Sequence, residues 1–174
     1  EGDALTWVRL STEGDSVLIG SRRGMTIHFR LDINELRPLG RTARGVKSMN
    51  LKNGDKLVSM DVLTSDLVDQ LAKIDNENEE DLESNSSNGP WVLVASSFGL
   101  GKRVPVTQFR LQKRAGMGLR AIKFRIKDDT LVGLKVLGEG EELLFVTEKG
   151  VIVRTNADKI SQQSRAATGV KLQR

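Results

Sequence analysis

The chain has 174 residues, of which 29% are charged and 4% aromatic, and it contains neither cysteine nor tyrosine. This length allows one domain with a sizeable core, and the lack of cysteine excludes disulfides and thiolate metal sites. No run of 18 apolar residues is present, so the sequence predicts no membrane span. The N-terminus is acidic and unlike a signal peptide, and a repeat element already begins at residue 3. We therefore expect the chain to be part of a longer protein.

The net charge of +4 is unevenly distributed. Residues 65–90 are rich in acid, Asn and Ser and carry −7, which leaves +11 on the other 148 residues. A strongly basic body is typical of a protein that binds a polyanion. The alternative is a generic soluble surface on which charge happens to be uneven.

Three similar units follow one another along the chain. Each contains an apolar run that ends in a turn glycine, and a later Gly-Val/Leu-Lys/Arg motif. The apolar runs with their glycines occupy residues 17–24, 92–99 and 143–150, and the motifs occupy residues 44–47, 117–120 and 168–171. Without residues 65–90 the period is about 50 residues, in the range of propeller blades. We place the repeats at about 3–54, 55–128 and 129–174.

The apolar and alternating runs predict an all-β fold. Strands are expected at residues 17–20, 26–29, 57–62, 92–95, 131–136, 143–146 and 151–153. Each repeat then reads as strand, glycine turn, strand, basic loop, Gly-Val/Leu-Lys/Arg strand, turn and strand. We expect each repeat to build its own four-stranded blade, about three in all, with residues 5–10 as the last strand of a preceding blade.

The acidic insert, residues 65–90, interrupts the second repeat. Residues 65–74 have an N-cap candidate and apolar positions at helical spacing, which predicts a helix. Residues 75–88 combine high charge with almost no apolar side chain and predict a flexible loop. A solvated loop is one interpretation of this segment, and an acidic competitor that displaces a polyanion from the basic body is the other.

The sequence offers no catalytic or metal site. The single histidine, His28, lies in an alternating strand and is expected to be structural or solvent-facing. The stretch from Gly99 to Val104 begins like a dinucleotide loop, but Val104 stands where the third glycine is needed. No nucleophile motif is present, so the sequence predicts no catalytic residue and no metal ligand.

Basic residues recur at corresponding places in the three repeats. In a radial repeat, equivalent loops lie along one edge, where they would form a curved positive rim for the phosphates of duplex DNA. The predicted DNA contacts are Arg41, Arg44, Lys47, Lys102, Arg103, Arg110, Lys113, Arg114, Arg120, Lys123, Arg154, Arg165 and Lys171. The alternative function is a propeller-type scaffold for protein–protein interaction.

Three long segments resemble the C-terminal domain of DNA gyrase A and of its topoisomerase IV relative. They are RPLGRTARGVK at 37–47, GKRVPVTQF at 101–109 and ISQQSRAATGVK at 160–171. The resemblance implies a β-pinwheel, a propeller-like fold of usually six blades around whose basic perimeter DNA wraps. It implies that this chain is about half of such a domain, comprising its later blades.

The same resemblance implies a non-catalytic module that bends DNA and presents it for ATP-dependent supercoiling. The parent enzyme cleaves DNA through a tyrosine, which this chain lacks. The implied partners are double-stranded DNA, the rest of gyrase A and gyrase B, with no membrane partner. No cofactor is expected here, because ATP and magnesium act in other parts of the parent enzyme.

Two departures from the family pattern stand out. The wrapping motif of the family is Gln-Arg-Arg-Gly-Gly-Lys-Gly, and the nearest stretch here is a degenerate copy. It consists of Gln112, Lys113, Arg114, Ala115, Gly116, Met117 and Gly118. The acidic insert is similar to that of plant organellar gyrases, which implies a plastid or mitochondrion. Without that lineage the implied location is a bacterial cytoplasm.

Overall fold

The computed structural model describes residues 4–34, 36–74 and 90–172, and β-strands dominate them. The strands are β1 Ser16–Ser21, β2 Met25–Arg30, β3 Leu57–Leu63, β4 Trp91–Ser96, β5 Leu100–Pro105, β6 Leu119–Arg120, β7 Leu131–Leu137, β8 Glu142–Val146, β9 Ile152–Asn156 and β10 Val170–Lys171. Among the described residues, one helix, α1 Ser65–Ile74, and two 3-10 turns, Val106–Gln108 and Ala157–Lys159, complete the elements. The predicted all-β fold with one helix in the insert is confirmed.

The strands form two four-stranded sheets and a hairpin, all antiparallel. Sheet one has the order β3-β1-β2-β6, sheet two the order β10-β5-β4-β7, and β8 pairs with β9. The strands β3 and β6 lie within the second repeat, 55–128, but complete the sheet of the first. In the same way β7 and β10, from the third repeat, complete the sheet of the second. The expectation that each repeat builds its own blade is therefore wrong.

Two segments that were expected to be strands do not form strands. The Gly-Val-Lys motif of the first repeat, residues 45–47, is exposed and forms no strand. Residues 5–10, expected to be a strand, have no regular secondary structure, and Leu5, Val8 and Leu10 are exposed. The equivalent motifs of the second and third repeats, β6 and β10, each pair with a strand of the preceding repeat. The sequence of both unpaired segments favours a strand, but a strand also needs a partner edge.

The hairpin turn has the same geometry in all three repeats. The amide of the turn glycine donates to the carbonyl three residues earlier, at 2.9 Å from Gly24, 3.0 Å from Gly99 and 2.9 Å from Gly150. All three glycines have φ between 74° and 79°, which only glycine adopts without strain. Asp55 and Asp129 hold the first two turns by accepting hydrogen bonds from a serine hydroxyl and a backbone amide in each.

Helix α1 is anchored to the first sheet at its N-terminus. The Asp15 carboxylate accepts the Ser65 amide at 2.8 Å and the Thr12 amide at 2.8 Å. These backbone hydrogen bonds, led by that of Thr12, lower the pKa of Asp15 below its usual value although burial opposes them. Val68 on the helix is buried in the main core. The predicted flexible loop at 75–88 lies outside the described residues.

The main core lies between sheet one and sheet two. Leu18 and Leu63 of sheet one pack in one cluster with Val92, Val94 and Leu131 of sheet two. A second cluster covers the other face of sheet one, which explains why all six residues of β1 are buried. A third cluster joins sheet two to the β8–β9 hairpin. Apolar packing therefore links consecutive repeats. Within the described part of the chain, no helix has the length and apolar character needed to cross a membrane.

Candidate nucleic-acid interface

A segment of the second repeat runs along the free edge of strand β2. The Gln112 amide donates to the His28 carbonyl at 2.7 Å, and the Ala121 amide donates to the Gly24 carbonyl at 2.8 Å. Between these two bonds lies β6. We call residues 112–121 the first edge segment, because they form the outer border of sheet one.

A corresponding segment of the third repeat borders sheet two. The Gln163 amide donates to the Arg103 carbonyl at 2.9 Å, and the Leu172 amide donates to the Gly99 carbonyl at 2.9 Å. Each donor and acceptor is the sequence equivalent of one in sheet one. Residues 163–172 are therefore the second edge segment, and the two sheets carry the same chain path on the same edge.

Glycine allows the edge segments to approach their sheets. Gly118 has a φ of 77°, and a Cβ there would lie 2.4 Å from the carbonyl oxygen of Thr26 in β2. Gly169 has a φ of 90°, and a Cβ there would lie 2.9 Å from the Gly101 carbonyl oxygen in β5. Both the backbone conformation and the contact exclude a side chain. In the second and third repeats the Gly-Val/Leu-Lys/Arg motif thus attaches the repeat to the preceding one.

Each edge segment also forms backbone hydrogen bonds with the residues that follow the motif of the preceding repeat. The Asn50 amide donates to the Gly116 carbonyl and the Ala115 amide to the Ser48 carbonyl, both at 2.8 Å. The Lys123 amide donates to the Ala167 carbonyl at 3.2 Å. These bonds join residues 44–50, 110–123 and 163–172 into one continuous strip, which we call the edge strip.

Nine of the thirteen predicted DNA contacts are exposed. They are Arg41, Arg44, Lys47, Arg110, Lys113, Arg120, Lys123, Arg154 and Lys171. Seven of these nine belong to the edge strip, Arg41 precedes it by three residues, and Arg154 lies apart on β9. Arg154 is paired with Glu142 on the neighbouring strand β8, and this pairing raises its pKa. The structure thus gathers most of the predicted cations on one border of the sheets.

Lys102 does not reach the surface. Its side chain is fully buried, and its ammonium donates to the carbonyls of Ser164, Arg165 and Ala167 at 2.7–2.8 Å. Burial, with a smaller contribution from the charge of Arg165, lowers the pKa of Lys102 to about 8. An ammonium enclosed by three carbonyls holds the second edge segment from inside, so Lys102 is not carried into the proposed interface.

Arg103 is also engaged within the protein. Its guanidinium lies over the Trp91 ring at 4.4 Å from the centroid and forms an ion pair with Asp158 at 3.0 Å. It also donates to the Ile160 carbonyl at 2.9 Å. The other two half-buried arginines of the predicted set, Arg114 and Arg165, donate to backbone carbonyls within the edge strip.

His28 is buried and forms two hydrogen bonds, which confirms its structural role. Its Nδ1 donates to the Phe109 carbonyl at 2.6 Å, and since Nδ1 carries the proton, Nε2 accepts from the Ser16 hydroxyl at 2.7 Å. Burial lowers the pKa of His28, and the nearby charge of Arg30 acts in the same direction. A neutral imidazole therefore joins β2 to the second repeat.

A basic cluster at the turn end of sheet one was absent from the predicted contacts. Arg22 and Arg23 line a groove of about 360 Å³ together with Phe124 and Asp128. Lys56 is also exposed, and its carbonyl accepts a hydrogen bond from the Arg22 amide. The Ser-Arg-Arg-Gly sequence of the first turn was the available signal, because a turn exposes its central residues. Among the described residues, no group of His, Cys, Asp and Glu could hold a metal ion.

The family model described as "DNA gyrase C-terminal domain, beta-propeller" matches residues 15–64, 90–137 and 141–174. The chain belongs to the DNA gyrase C-terminal domain family. The DNA gyrase A protein of Synechocystis sp. is 52% identical over the whole chain, and that of Staphylococcus epidermidis is 37% identical over 99% of it. The chain covers only 21% and 17% of these two relatives.

Solved structures support the same fold for this gyrase C-terminal domain. The C-terminal domain of DNA topoisomerase IV has a TM-score of 0.72 and 23% identity, over 91% of this chain and 42% of that one. The gyrase A C-terminal domain has a TM-score of 0.68 and 26% identity, over 91% of this chain and 46% of that one. The predicted β-pinwheel is confirmed.

The degenerate copy of the family's wrapping motif forms most of the first edge segment of this gyrase domain. Ala115, where the motif has glycine, adopts a φ of 64° and is strained for a residue with a Cβ. Met117, where the motif has lysine, is 53% exposed. Lys113 is exposed as well and keeps the charge of its position. The copy therefore carries one cation fewer than the motif.

Proposed function

We propose that this chain is a non-catalytic module of a type IIA topoisomerase that binds duplex DNA along the edge strip and bends it. The observation that carries the proposal is the equivalent course of the two edge segments. Because the same chain path borders consecutive sheets, exposed cations recur from one sheet to the next. If a duplex follows the strip, these cations would neutralise its phosphates at each sheet.

The chemistry of the strip favours phosphate over base recognition. Seven of its exposed side chains are lysine or arginine and none is acidic, and the described residues of the strip contain no aromatic side chain on which a base could stack. No helix lies there to enter a major groove. The binding should therefore depend weakly on sequence and strongly on salt.

The absence of tyrosine from the sequence supports a role without DNA cleavage. We propose that duplex DNA, the remainder of gyrase A and gyrase B are the partners, and that the module presents DNA to the catalytic core for ATP-dependent supercoiling. No cofactor is assigned to this chain. It would work where its parent enzyme works, in a bacterial cytoplasm or, for a plant form, in a plastid or mitochondrion.

The salt dependence of duplex binding tests this proposal. The logarithm of the association constant should fall with the logarithm of salt concentration with a slope of about −4 or steeper, since each neutralised phosphate contributes about −0.9. Nuclease digestion of bound DNA adds an independent measure of the length protected. A slope equivalent to one or two phosphates, with protection no longer than a single contact, would refute bending along the strip.

A further inference from the structure

Two arginines make the same contact between consecutive repeats. Arg114 Nη1 donates to the Lys47 carbonyl at 2.6 Å, and Arg165 Nη1 donates to the Arg120 carbonyl at 2.9 Å. In the aligned seven-residue stretches 41–47, 114–120 and 165–171, the arginine is the first residue and its acceptor is the last residue one repeat earlier. The contact therefore follows from the repeat and joins each stretch to its predecessor.

Backbone hydrogen bonds surround each arginine contact. Beside Arg114, the Ala115 amide donates to Ser48 and the Asn50 amide to Gly116. Beside Arg165, the Lys123 amide donates to Ala167. Each guanidinium therefore lies where segments of two repeats meet. The exposed cations of the edge strip lie on these same segments.

We propose that Arg114 and Arg165 are positioning residues, each of which ties the basic segment of one repeat to the end of the segment before it. The ties fix the spacing between the exposed cations of successive repeats, while neighbours such as Lys113 contact phosphate. The second part of this assignment rests on the proposed function, whereas the ties themselves do not. The assignment divides the predicted DNA contacts into those that bind and those that set the geometry.

The first repeat supplies an internal control. Arg41 is the equivalent of Arg114 and Arg165, but it is exposed and its side chain has no hydrogen bond among the described residues. Removing it should not loosen any contact within the chain. The neighbouring Lys113 is a second control, because it lies beside Arg114 and carries the same charge without the tie.

Amide hydrogen exchange of the 174-residue chain tests the ties without DNA. Arg114→Ala should speed the exchange of the Ala115 and Asn50 amides about tenfold or more, the effect of losing a charged hydrogen bond next to them. Arg165→Ala should do the same for the Lys123 amide. Arg41→Ala and Lys113→Ala should leave all three amides unchanged. Equal exchange in the arginine variants and the controls would overturn the proposal.

Duplex binding across a range of salt separates positioning from phosphate contact. Lys113→Ala should reduce the salt slope by about 0.9, the share of one phosphate. Arg114→Ala should weaken binding several-fold at every salt concentration with the slope unchanged, and Arg114→Lys should restore part of the affinity because lysine can also donate to a carbonyl. A slope reduced as in Lys113→Ala would make Arg114 a phosphate contact.

The outcomes are distinguishable from failure of the proposed function. If the unaltered chain does not bind duplex DNA, the proposed function fails, and the exchange measurements still decide whether the ties exist. If Arg114→Ala is too unstable to study, Arg165→Ala gives the same answer at Lys123. Fast exchange in Arg165→Ala supports the ties, and unchanged exchange there overturns them.

Discussion

Replacing Gly118 by alanine should destabilise the fold more than the same change at Gly45. Both glycines occupy the same place in the repeat motif and both have a φ of 77°. At Gly45 nothing lies within 4 Å of an added Cβ, so only the left-handed conformation is penalised, by about 1 kcal/mol. At Gly118 the Cβ would lie 2.4 Å from the Thr26 carbonyl oxygen, which is held in β2.

Relief of this overlap requires β6 to move away from β2. Loss of hydrogen bonds between the two strands would add about 1 kcal/mol for each bond, which brings the cost of Gly118→Ala to about 3 kcal/mol. Urea denaturation of the two variants and the unaltered chain measures the difference directly. A loss in Gly118→Ala no larger than that in Gly45→Ala would refute the close approach of the edge segment to sheet one.

Substitutions at Ala115, His28 and Lys102 test three further features of the structure. Ala115→Gly should raise the free energy of unfolding by about 1 kcal/mol, since the strained φ of 64° suits glycine; an unchanged or lower urea midpoint would contradict this. Burial keeps His28 neutral, so its contribution to stability is complete above the unfolded pKa of about 6.5 and is lost as the pH falls through its lowered folded pKa. Urea midpoints between pH 8 and pH 5 should therefore fall less in His28→Gln than in the unaltered chain, and parallel curves would count against the assignment. Lys102→Met should cost about 2 to 3 kcal/mol, because three carbonyls lose their donor, yet leave the salt slope of DNA binding unaltered; a reduced slope would place Lys102 at the phosphates.

The positions of seven of the ten described strands could be predicted from the sequence because they depend on local patterns. Apolar runs such as those of β1 and β4 are long enough to mark buried strands, and the turn glycines mark where each hairpin reverses. The helix of the insert was also predictable from its spacing of apolar residues. These features need no knowledge of what packs against them.

The exchange of β6 and β10 between repeats could not be predicted in the same way. A two-residue strand carries too little pattern to specify an edge, and its own repeat and the preceding one offer similar edges. The partner is selected by tertiary contacts, including the close approach at Gly118 and the ties of Arg114 and Arg165. A repeat in the sequence defines a unit of length without defining which unit completes which sheet.

Lys102 illustrates a signal that was present in the sequence. When Gly24 is aligned with Gly99, Lys102 corresponds to Ile27, which is completely buried in sheet one. A lysine at a core position of the repeat should therefore be expected inside the fold, provided that backbone carbonyls can surround its ammonium. This alignment distinguishes Lys102 from the basic residues that are exposed on the edge strip.

The central claim is that duplex DNA binds along the edge strip, and two charge-reversal variants test it most directly. The first replaces Lys113, Arg120 and Lys123 of the strip by glutamate, and the second replaces Arg22, Arg23 and Lys56 of the turn end. Both change the net charge by the same amount on exposed side chains. We predict that the first variant loses duplex binding at moderate salt while the second retains most of it, with similar urea midpoints in both. Retained binding in the first variant, or loss confined to the second, would contradict the account.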